Sequence, residues 1–376
     1  MSALRQKIEQ EIRERGPLPF SRYMELCLYD PELGYYSRNA AQFGKAGDFY
    51  TSNDVHAVFG RLLARQFEEM WRALGSPGHI TLKELGPGRG LFAQDVLDWS
   101  EKKFPDFFRA LRYVLDERSP ALRQRIEVTL SRHLESGRAA LAADNRVSPP
   151  EIVFANEFFD ALPVEVVSSQ GSLRIALRDG RLVEAWTLAS AQELEFLDRY
   201  SVHPEPGERI EVSLQGQKHI SVAANLERGF VVIIDYGYTR EEQLAGRHRG
   251  TLKAIRQHSV SADPYEAPGE QDITADVNFT ALAAVAEKEG MRTQKLVTQS
   301  QFLMGIGEAN EFSDAFEECR LPQERAKVAL QLKHLVTPAG MGESFHVLVA
   351  SKGVEPKRVS TLAGLGFGTR AIGKRT

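Results

Sequence analysis

The stretch ELGPGRG, residues 84–90, decides the fold of this chain. It follows a short predicted strand and precedes LFAQDVLDWSEKKF (91–104), which has the pattern of a helix. Gly86, Gly88 and Gly90 allow a tight turn, and they let backbone N–H groups approach a ligand at the positive end of the helix. The stretch therefore predicts a ligand-binding turn between strand and helix. A turn of the same shape without a ligand is the open alternative.

The same alternation of strand and helix continues along the chain. Apolar runs predict further strands at 112–117, 151–155, 230–237 and 344–352, and SPALRQRIEVTLSRHL (119–134) predicts another helix. Short apolar strands separated by helices indicate a mostly parallel sheet that is covered on both faces. We therefore predict an α/β fold.

The predicted core spans residues 76–352. An N-terminal helical segment with a loop on the ligand side precedes it (1–75), and a glycine-rich basic tail follows it (353–376). Three stretches interrupt the core. They are a β-rich insertion at 164–215, a long loop at 236–278 and a helical segment at about 299–335. A long loop inside a compact domain is usually functional or mobile.

Composition excludes several classes of protein. Lys plus Arg (47) nearly balance Asp plus Glu (51) in the 376 residues, so no overall charge favours nucleic acid. The two cysteines, Cys27 and Cys319, support neither a disulfide framework nor a zinc site, and we expect no metal. No stretch of about 18 apolar residues predicts a membrane span. The charged N-terminus lacks the apolar core of a secretory signal, so we expect a cytoplasmic protein; an oligomer is compatible with the sequence.

The spacing Glu-x-Gly-x-Gly-x-Gly at 84–90 matches the first motif of class I S-adenosylmethionine-dependent methyltransferases. A dinucleotide fingerprint would need glycine at position 91, which is Leu91. In the methyltransferase motif Glu84 would bind the ammonium group of the ligand, directly or through water. Glu117 ends the next strand and is expected to accept hydrogen bonds from ribose hydroxyls, whereas Asp116 should face the other way. Capping of the following helix is the open alternative for Glu117.

A second acidic motif, NEFFDALPV, follows the strand EIVFA (151–155). Glu157 and Asp160 could grip a guanidinium, a planar cation that carboxylates bind in bidentate fashion. One of them could take up the proton that methyl transfer releases, and Asn156 could fix a carboxylate or contact the substrate. Phe158 could dry the pocket and stack on the cation, as could the adjacent phenylalanine. Helix capping by Asp160 and a local ion pair of Glu157 are the open alternatives.

Seven motifs in order carry a resemblance to a known family: GYYS, GDFYTS, FGRLLA, ELGPGRG, NEFFDALPV, IDYGY and DPYEAPGEQDITADVNFTAL. The chain resembles the MidA-like methyltransferases, whose mitochondrial members assist respiratory complex I assembly by methylating an arginine of a core subunit. The resemblance implies a Rossmann-like, seven-stranded class I methyltransferase core with an N-terminal helical part and inserted segments. It also implies S-adenosyl-L-methionine as cofactor and a protein substrate, a subunit of a respiratory dehydrogenase.

The resemblance also implies roles for single residues. The glycines of 84–90 match the cofactor loop, and Glu117 matches the ribose acid. Asp48, Thr51 and Ser52 of GDFYTS match a loop that lines the methionine end of the cofactor; this chain continues with TSND where the family has TSPE.

Weaker candidates and other functions stay open. Asp235 ends a predicted strand and could face the same pocket or cap a turn, and His258 lies in the long insertion as a candidate lid residue. We interpret His334 and His346 as structural. The alternatives to arginine methylation are methyl transfer to another protein or small molecule and an assembly factor that binds the cofactor without turnover.

Overall fold

The computed structural model describes residues 2–38, 57–142, 149–256, 259–261, 263–308 and 310–367. In chain order its strands are β1 (Leu18–Pro19), β2 (Ile80–Leu85), β3 (Leu111–Asp116), β4 (Ala139–Leu141), β5 (Ile152–Asn156), β6 (Glu165–Ser168), β7 (Gly171–Arg178), β8 (Arg181–Thr187), β9 (Arg209–Val212), β10 (Gly229–Tyr238), β11 (Lys253–Arg256), β12 (Ser259–Ser261), β13 (Asp272–Thr274), β14 (Val277–Asn278), β15 (Arg292–Thr293), β16 (Val297–Thr298) and β17 (Phe345–Lys352).

The helices follow the same numbering: α1 (Ala3–Arg15), α2 (Phe20–Tyr29), α3 (Tyr35–Arg38), α4 (Ala57–Ala73), α5 (Leu91–Lys103), α6 (Pro105–Ala110), α7 (Pro120–Thr129), α8 (Ser131–Glu135), α9 (Ala191–Tyr200), α10 (Leu214–Ala224), α11 (Arg240–Leu244), α12 (Phe279–Lys288), α13 (Gln299–Glu308), α14 (Ser313–Phe316), α15 (Pro322–Val336) and α16 (Pro356–Ser360). A short 3₁₀ helix, Ala363–Leu365, comes after them. Among the described residues, no helix is long and apolar enough to cross a membrane.

The central sheet contains the strand that leads into the glycine stretch. Its hydrogen-bonded path runs β15-β17-β10-β5-β2-β3-β4, and the five strands from β10 to β4 are mutually parallel. β17 runs antiparallel to β10, β15 and β16, and the short strands β16 and β14 lie off this path, beside β17 and β10. This seven-stranded path confirms the predicted Rossmann-like core. The parallel strands end at one edge, and loops there bind ligands in open α/β sheets.

Helices cover both faces of this sheet because its inner strands are apolar on both sides. Every residue of β5 is buried. On one face α4 and α5 pack against the sheet, and the rings of Phe92 and Phe154 stack with their centroids 4.7 Å apart. On the other face Ile220 of α10 and Leu282 of α12 belong to a second core with residues of β5 and β10.

The N-terminal helices do not pack on the central sheet. Leu4, Ile8 and Phe20 share a core with Leu173 and Ile175 of β7, inside the β-rich insertion. β1 also pairs with β7, so one sheet of order β1-β7-β6-β9, with β8 beside β7, joins the chain's beginning to the insertion. The helix α4, predicted as part of the same N-terminal segment, packs on the central sheet instead. The predicted domain limits stay a prediction.

Two stretches differ from the sequence-based expectation. The segment 236–278 was expected to be a long loop, but it contains α11 and an antiparallel sheet of order β12-β11-β13. Short strands of three or four residues carry too little periodicity to be seen in sequence. The stretch from 353 was predicted as a basic tail outside the core, but Val359, Leu362 and Ala363 are buried in the main core. Small apolar side chains there fill space that α4 and α13 leave open.

The seating of this C-terminal turn on α13 makes a stability prediction. A Cβ atom on Gly305 would lie 2.4 Å from the carbonyl oxygen of Ala363. Although alanine favours helices over glycine, we expect Gly305→Ala to lower the free energy of unfolding by about 1–3 kcal/mol, because overpacking outweighs propensity. Denaturant titration measures this. Gly78→Ala is the control, since its Cβ would meet nothing within 4 Å. Equal stability of the two variants would contradict the predicted contact.

Candidate active site

The glycine turn has the backbone that its sequence predicts. Gly86, Gly88 and Gly90 have φ values of +64°, +56° and +77°, which residues with side chains rarely adopt. A Cβ atom on Gly86 would lie 2.7 Å from Cδ2 of Phe158, whereas one on Gly88 would meet nothing within 4 Å. Gly86 is therefore required by a neighbouring ring, and Gly88 leaves space free beside the backbone for a ligand.

Glu117 lies next to this turn, as the parallel pairing of β2 and β3 requires. The N–H of Gly86 donates to the carbonyl of Asp116 at 3.1 Å, and the Glu117 carboxylate accepts from the N–H of Ser119 at 2.8 Å and from that of Gly88. Burial raises the pKa of Glu117 to about 7, while these N–H groups lower it. Asp116 also lines the cavity and pairs with Lys83 at 2.6 Å, so the prediction that it faces away is wrong.

A cavity of about 930 Å³ joins these residues to the second acidic motif. Its walls come from the glycine turn, from α2 and the GYYS stretch, and from α10. Glu117, Glu157, Phe158, Tyr29, Tyr36 and His219 are among its lining residues. The cavity lies at the carboxyl edge of the parallel strands, and its volume is in the range of small-molecule sites.

Glu157 is the carboxylate of NEFFDALPV that reaches the cavity. It has a φ of +48°, a left-handed conformation that costs a residue with a side chain about 1–2 kcal/mol. Its Oε1 accepts from Nδ2 of Asn156 at 3.2 Å, which places the amide as a partner of the carboxylate. Phe158 also lines the cavity, and its ring contacts His219 edge-on at 5.5 Å between centroids.

Asp160 is placed differently from the sequence-based expectation. Its side chain is 2% exposed, is not among the residues that line the cavity, and accepts a hydrogen bond from the hydroxyl of Tyr236. Burial raises its pKa, while the Tyr236 hydroxyl lowers it. The geometry therefore does not allow Glu157 and Asp160 to bind one substrate cation together in this cavity. After Glu157 the chain makes a tight turn, which points Asp160 inward.

The sequence left two roles open for Asp235, facing the pocket or capping a turn, and the structure decides between them. It is fully buried, and its Oδ2 accepts from the N–H groups of Phe158, Phe159 and Asp160 at 3.2, 3.0 and 3.4 Å. It caps the turn and does not face the cavity. A capping carboxylate and a ligand-binding one are both common at the end of a parallel strand, so the sequence could not distinguish them.

Glu84 and Gly90 are further predicted site residues that do not line the cavity, and a Cβ atom on Gly90 would instead lie 3.3 Å from the side chain of Leu130. The carboxylate of Glu84 is turned inward. It is 1% exposed, accepts a hydrogen bond from the hydroxyl of Tyr113 at 2.8 Å, and does not line the cavity. Burial raises its pKa to about 8, so the side chain is mostly neutral at pH 7. Its contact with the ammonium group of the cofactor stays a prediction, and the buried position of its carboxyl group does not favour a direct contact.

Four predicted residues lie outside the described residues: Asp48, Thr51, Ser52 and His258. His334 is exposed and His346 is half-buried. In the part of the chain that the structure describes, no group of three or more His, Cys, Asp or Glu side chains could hold a metal ion. Sequence reasoning missed Tyr29, Tyr36 and His219 as lining residues. The GYYS motif is a sequence signal for Tyr36. His219 has no such signal, because a single histidine on an amphipathic helix belongs to no motif.

Comparison with known proteins identifies the family. Residues 62–297 match a family described as S-adenosyl-L-methionine-dependent methyltransferases. The chain belongs to this family. A relative from Drosophila melanogaster, named protein arginine methyltransferase NDUFAF7 homolog, mitochondrial, is 31% identical over 97% of this chain and 88% of its own. The human protein arginine methyltransferase NDUFAF7, mitochondrial, is 26% identical over 89% of this chain and 80% of its own.

A solved structure agrees with this membership. A protein from Burkholderia thailandensis that is described as a methyl transferase and is bound to S-adenosyl-homocysteine superposes with a TM-score of 0.83 at 29% identity, covering 96% of this chain and 94% of that one. The predictions of a methyltransferase and of S-adenosyl-L-methionine as its cofactor are thereby confirmed. The open space at Gly88 and the carboxylate of Glu117 fit this cofactor. The prediction of a cytoplasmic protein is wrong, because the curated relatives are mitochondrial by name.

The space at Gly88 makes the first site prediction. We expect Gly88→Ala to weaken S-adenosyl-homocysteine binding at least about tenfold, roughly 1.4 kcal/mol, because the new methyl group occupies space that the ligand needs. Calorimetric titration measures the affinity. Gly137→Ala is the matched control, since Gly137 also has a left-handed backbone (φ +72°) with nothing within 4 Å of its Cβ. If both variants bind like wild type, Gly88 does not contact the cofactor.

Glu117 makes a pH prediction. Its ionised form accepts hydrogen bonds from hydroxyls, and its pKa without ligand is about 7. Binding of S-adenosyl-homocysteine should therefore tighten as the pH rises from 6 to 8, because at low pH a proton must first leave the carboxyl group. Glu117→Gln should weaken binding by about 1.5–3 kcal/mol at pH 8 and remove this dependence. A dependence that persists in Glu117→Gln would assign it to another group.

Proposed function

We propose that this methyltransferase transfers its methyl group to an arginine side chain of a protein. The observation that carries the proposal is the carboxylate of Glu157, which faces the cavity beyond the glycine turn while Asp160 and Asp235 lie buried behind it. The names of the curated relatives, protein arginine methyltransferases, support the same acceptor. A carboxylate at this position suits a guanidinium, which stays protonated at neutral pH.

The proposed chemistry assigns one task to each side chain. Glu157 binds the guanidinium and orients one of its nitrogens toward the methyl group, which the cofactor supplies in electrophilic form. The bound cofactor would give up its methyl–sulfur bond and leave as S-adenosyl-homocysteine. As the new N–C bond forms, the nitrogen loses a proton, and the Glu157 carboxylate accepts it. Asn156 holds that carboxylate through its Nδ2. Phe158 excludes water from the same wall and offers a ring to the cation.

The acceptor protein is proposed from the resemblance of the motifs. We propose that it is a subunit of a respiratory dehydrogenase. To test both acceptor and residue, purified protein is incubated with S-adenosyl-L-methionine carrying a deuterated methyl group and with protein from cells that lack the gene. Mass spectrometry then locates the label. Label on arginine of a dehydrogenase subunit supports the proposal. Label on another residue type, or only on small molecules, contradicts it.

Glu157 makes the prediction that separates catalysis from binding. We expect Glu157→Gln to lower the rate of methyl transfer by a factor of about 10²–10⁴, because the orienting charge and proton acceptor are lost. Cofactor affinity should stay nearly unchanged. Glu311→Gln is the matched control: Glu311 also has a left-handed backbone (φ +55°), but it is exposed and does not line the cavity. Methyl transfer at the wild-type rate in Glu157→Gln would make this carboxylate structural.

A further inference from the structure

The carboxylate of Asp235 binds four backbone N–H groups. Its Oδ2 accepts from the consecutive residues Phe158, Phe159 and Asp160, and its Oδ1 accepts from Tyr236 at 3.0 Å. Consecutive N–H groups converge on one point only where the chain turns sharply, and such a concavity binds an anion. Here the group that accepts the hydrogen bonds is a side chain of the protein itself, on the strand next to the turn.

Glu157 begins this turn, and its backbone is left-handed. Glutamate has no side-chain preference for that conformation, so it persists only where the surroundings hold it. One restraint is the N–H of Glu157 itself, which donates to the carbonyl of Ile234 at 3.0 Å. The other restraints are the three N–H groups that follow it. The acceptors of all these hydrogen bonds lie on β10, at Ile234 and at Asp235.

We infer that Asp235 is a positioning residue for methyl transfer: it holds the turn after β5 closed, so that the Glu157 side chain points into the cavity. The inference rests on the proposed function, which gives Glu157 its contact with the acceptor. Burial and the Asp160 and Glu157 carboxylates raise the pKa of Asp235, and the N–H groups of Phe159 and Asp160 oppose that shift.

The geometric part of the inference is tested without any acceptor. Asp235→Asn keeps the shape of the side chain but replaces one acceptor oxygen with an N–H donor. Amide hydrogen exchange of Phe158, Phe159 and Asp160, relative to the amides in the middle of β10, should become at least about tenfold faster. Unchanged relative protection of these three amides would overturn the inference.

Glu211→Gln is the matched control for this measurement. Glu211 is a buried carboxylate that accepts from the N–H groups of Thr251 and Leu252 at 3.0 and 3.2 Å, and it does not line the cavity. The substitution removes charge from a comparable backbone cap, so it reproduces a general loss of stability. It should leave exchange of the 158–160 amides at the wild-type ratio. Faster exchange there in both variants would overturn the inference.

The functional part uses a double-mutant cycle with Glu157→Gln. The probe is transfer of a deuterated methyl group to protein from cells that lack the gene, at saturating cofactor. Asp235→Asn should slow transfer at least about tenfold while the cofactor dissociation constant changes less than about twofold. In the Glu157→Gln background the same change should slow transfer by less than about twofold, because its effect passes through Glu157.

The outcomes separate this inference from the proposed function. If the rate losses of Asp235→Asn and Glu157→Gln multiply in the double variant, the positioning role of Asp235 is overturned, even if arginine is labelled. If the wild-type protein places the label on a different residue type, the arginine proposal is overturned. The double-mutant cycle and the exchange data then still test whether Asp235 is a positioning residue. If Asp235→Asn does not fold, Asp235→Ser, which keeps one acceptor oxygen in a smaller side chain, replaces it in both experiments.

Discussion

The whole site depends on one constraint: the central strand must leave the sheet through a turn of three left-handed glycines. Gly86, Gly88 and Gly90 bring β2 into α5 within five residues at the carboxyl edge of the parallel strands. The ring of Phe158 rests directly on Gly86, and a side chain there would displace it. The cofactor turn and the acidic turn after β5 therefore fit each other only in this arrangement.

Carboxylates around the cavity have separate roles because their surroundings differ. Glu117 and Glu157 reach the cavity, whereas Asp160 and Asp235 are buried behind it and hold neighbouring groups. Burial raises the pKa of both Asp160 and Asp235, and both side chains accept hydrogen bonds from groups of the fold itself. Glu157 is then the carboxylate of this turn that lines the cavity and could meet a cationic acceptor.

The other wall of the cavity comes from distant parts of the sequence. The hydroxyl of Tyr36 donates to Asp272 at 2.8 Å, and that of Tyr23 donates to the carbonyl of Pro264 at 2.7 Å. These bonds join α2 and the GYYS stretch to the stretch DPYEAPGEQDITADVNFTAL, more than two hundred residues later. The N-terminal helices, the β-rich insertion and β13 share one core. Motifs that looked independent in sequence therefore belong to one packed unit, which supports this wall from behind.

The sequence by itself determined the α/β class, the glycine turn, the position of Glu117 beside that turn and the family, because these depend on local periodicity, on glycine spacing and on short motifs. Only the tertiary structure decided which acids reach the cavity. Asp160 and Glu84 were expected there, but a turn of the backbone and the pleat of β2 point them into the interior. It also decided that residues 353–367 pack on the core and that Asp235 caps a turn. The physical reason is that a side chain's direction and its hydrogen-bond partners depend on contacts between residues far apart in sequence, which local patterns do not record.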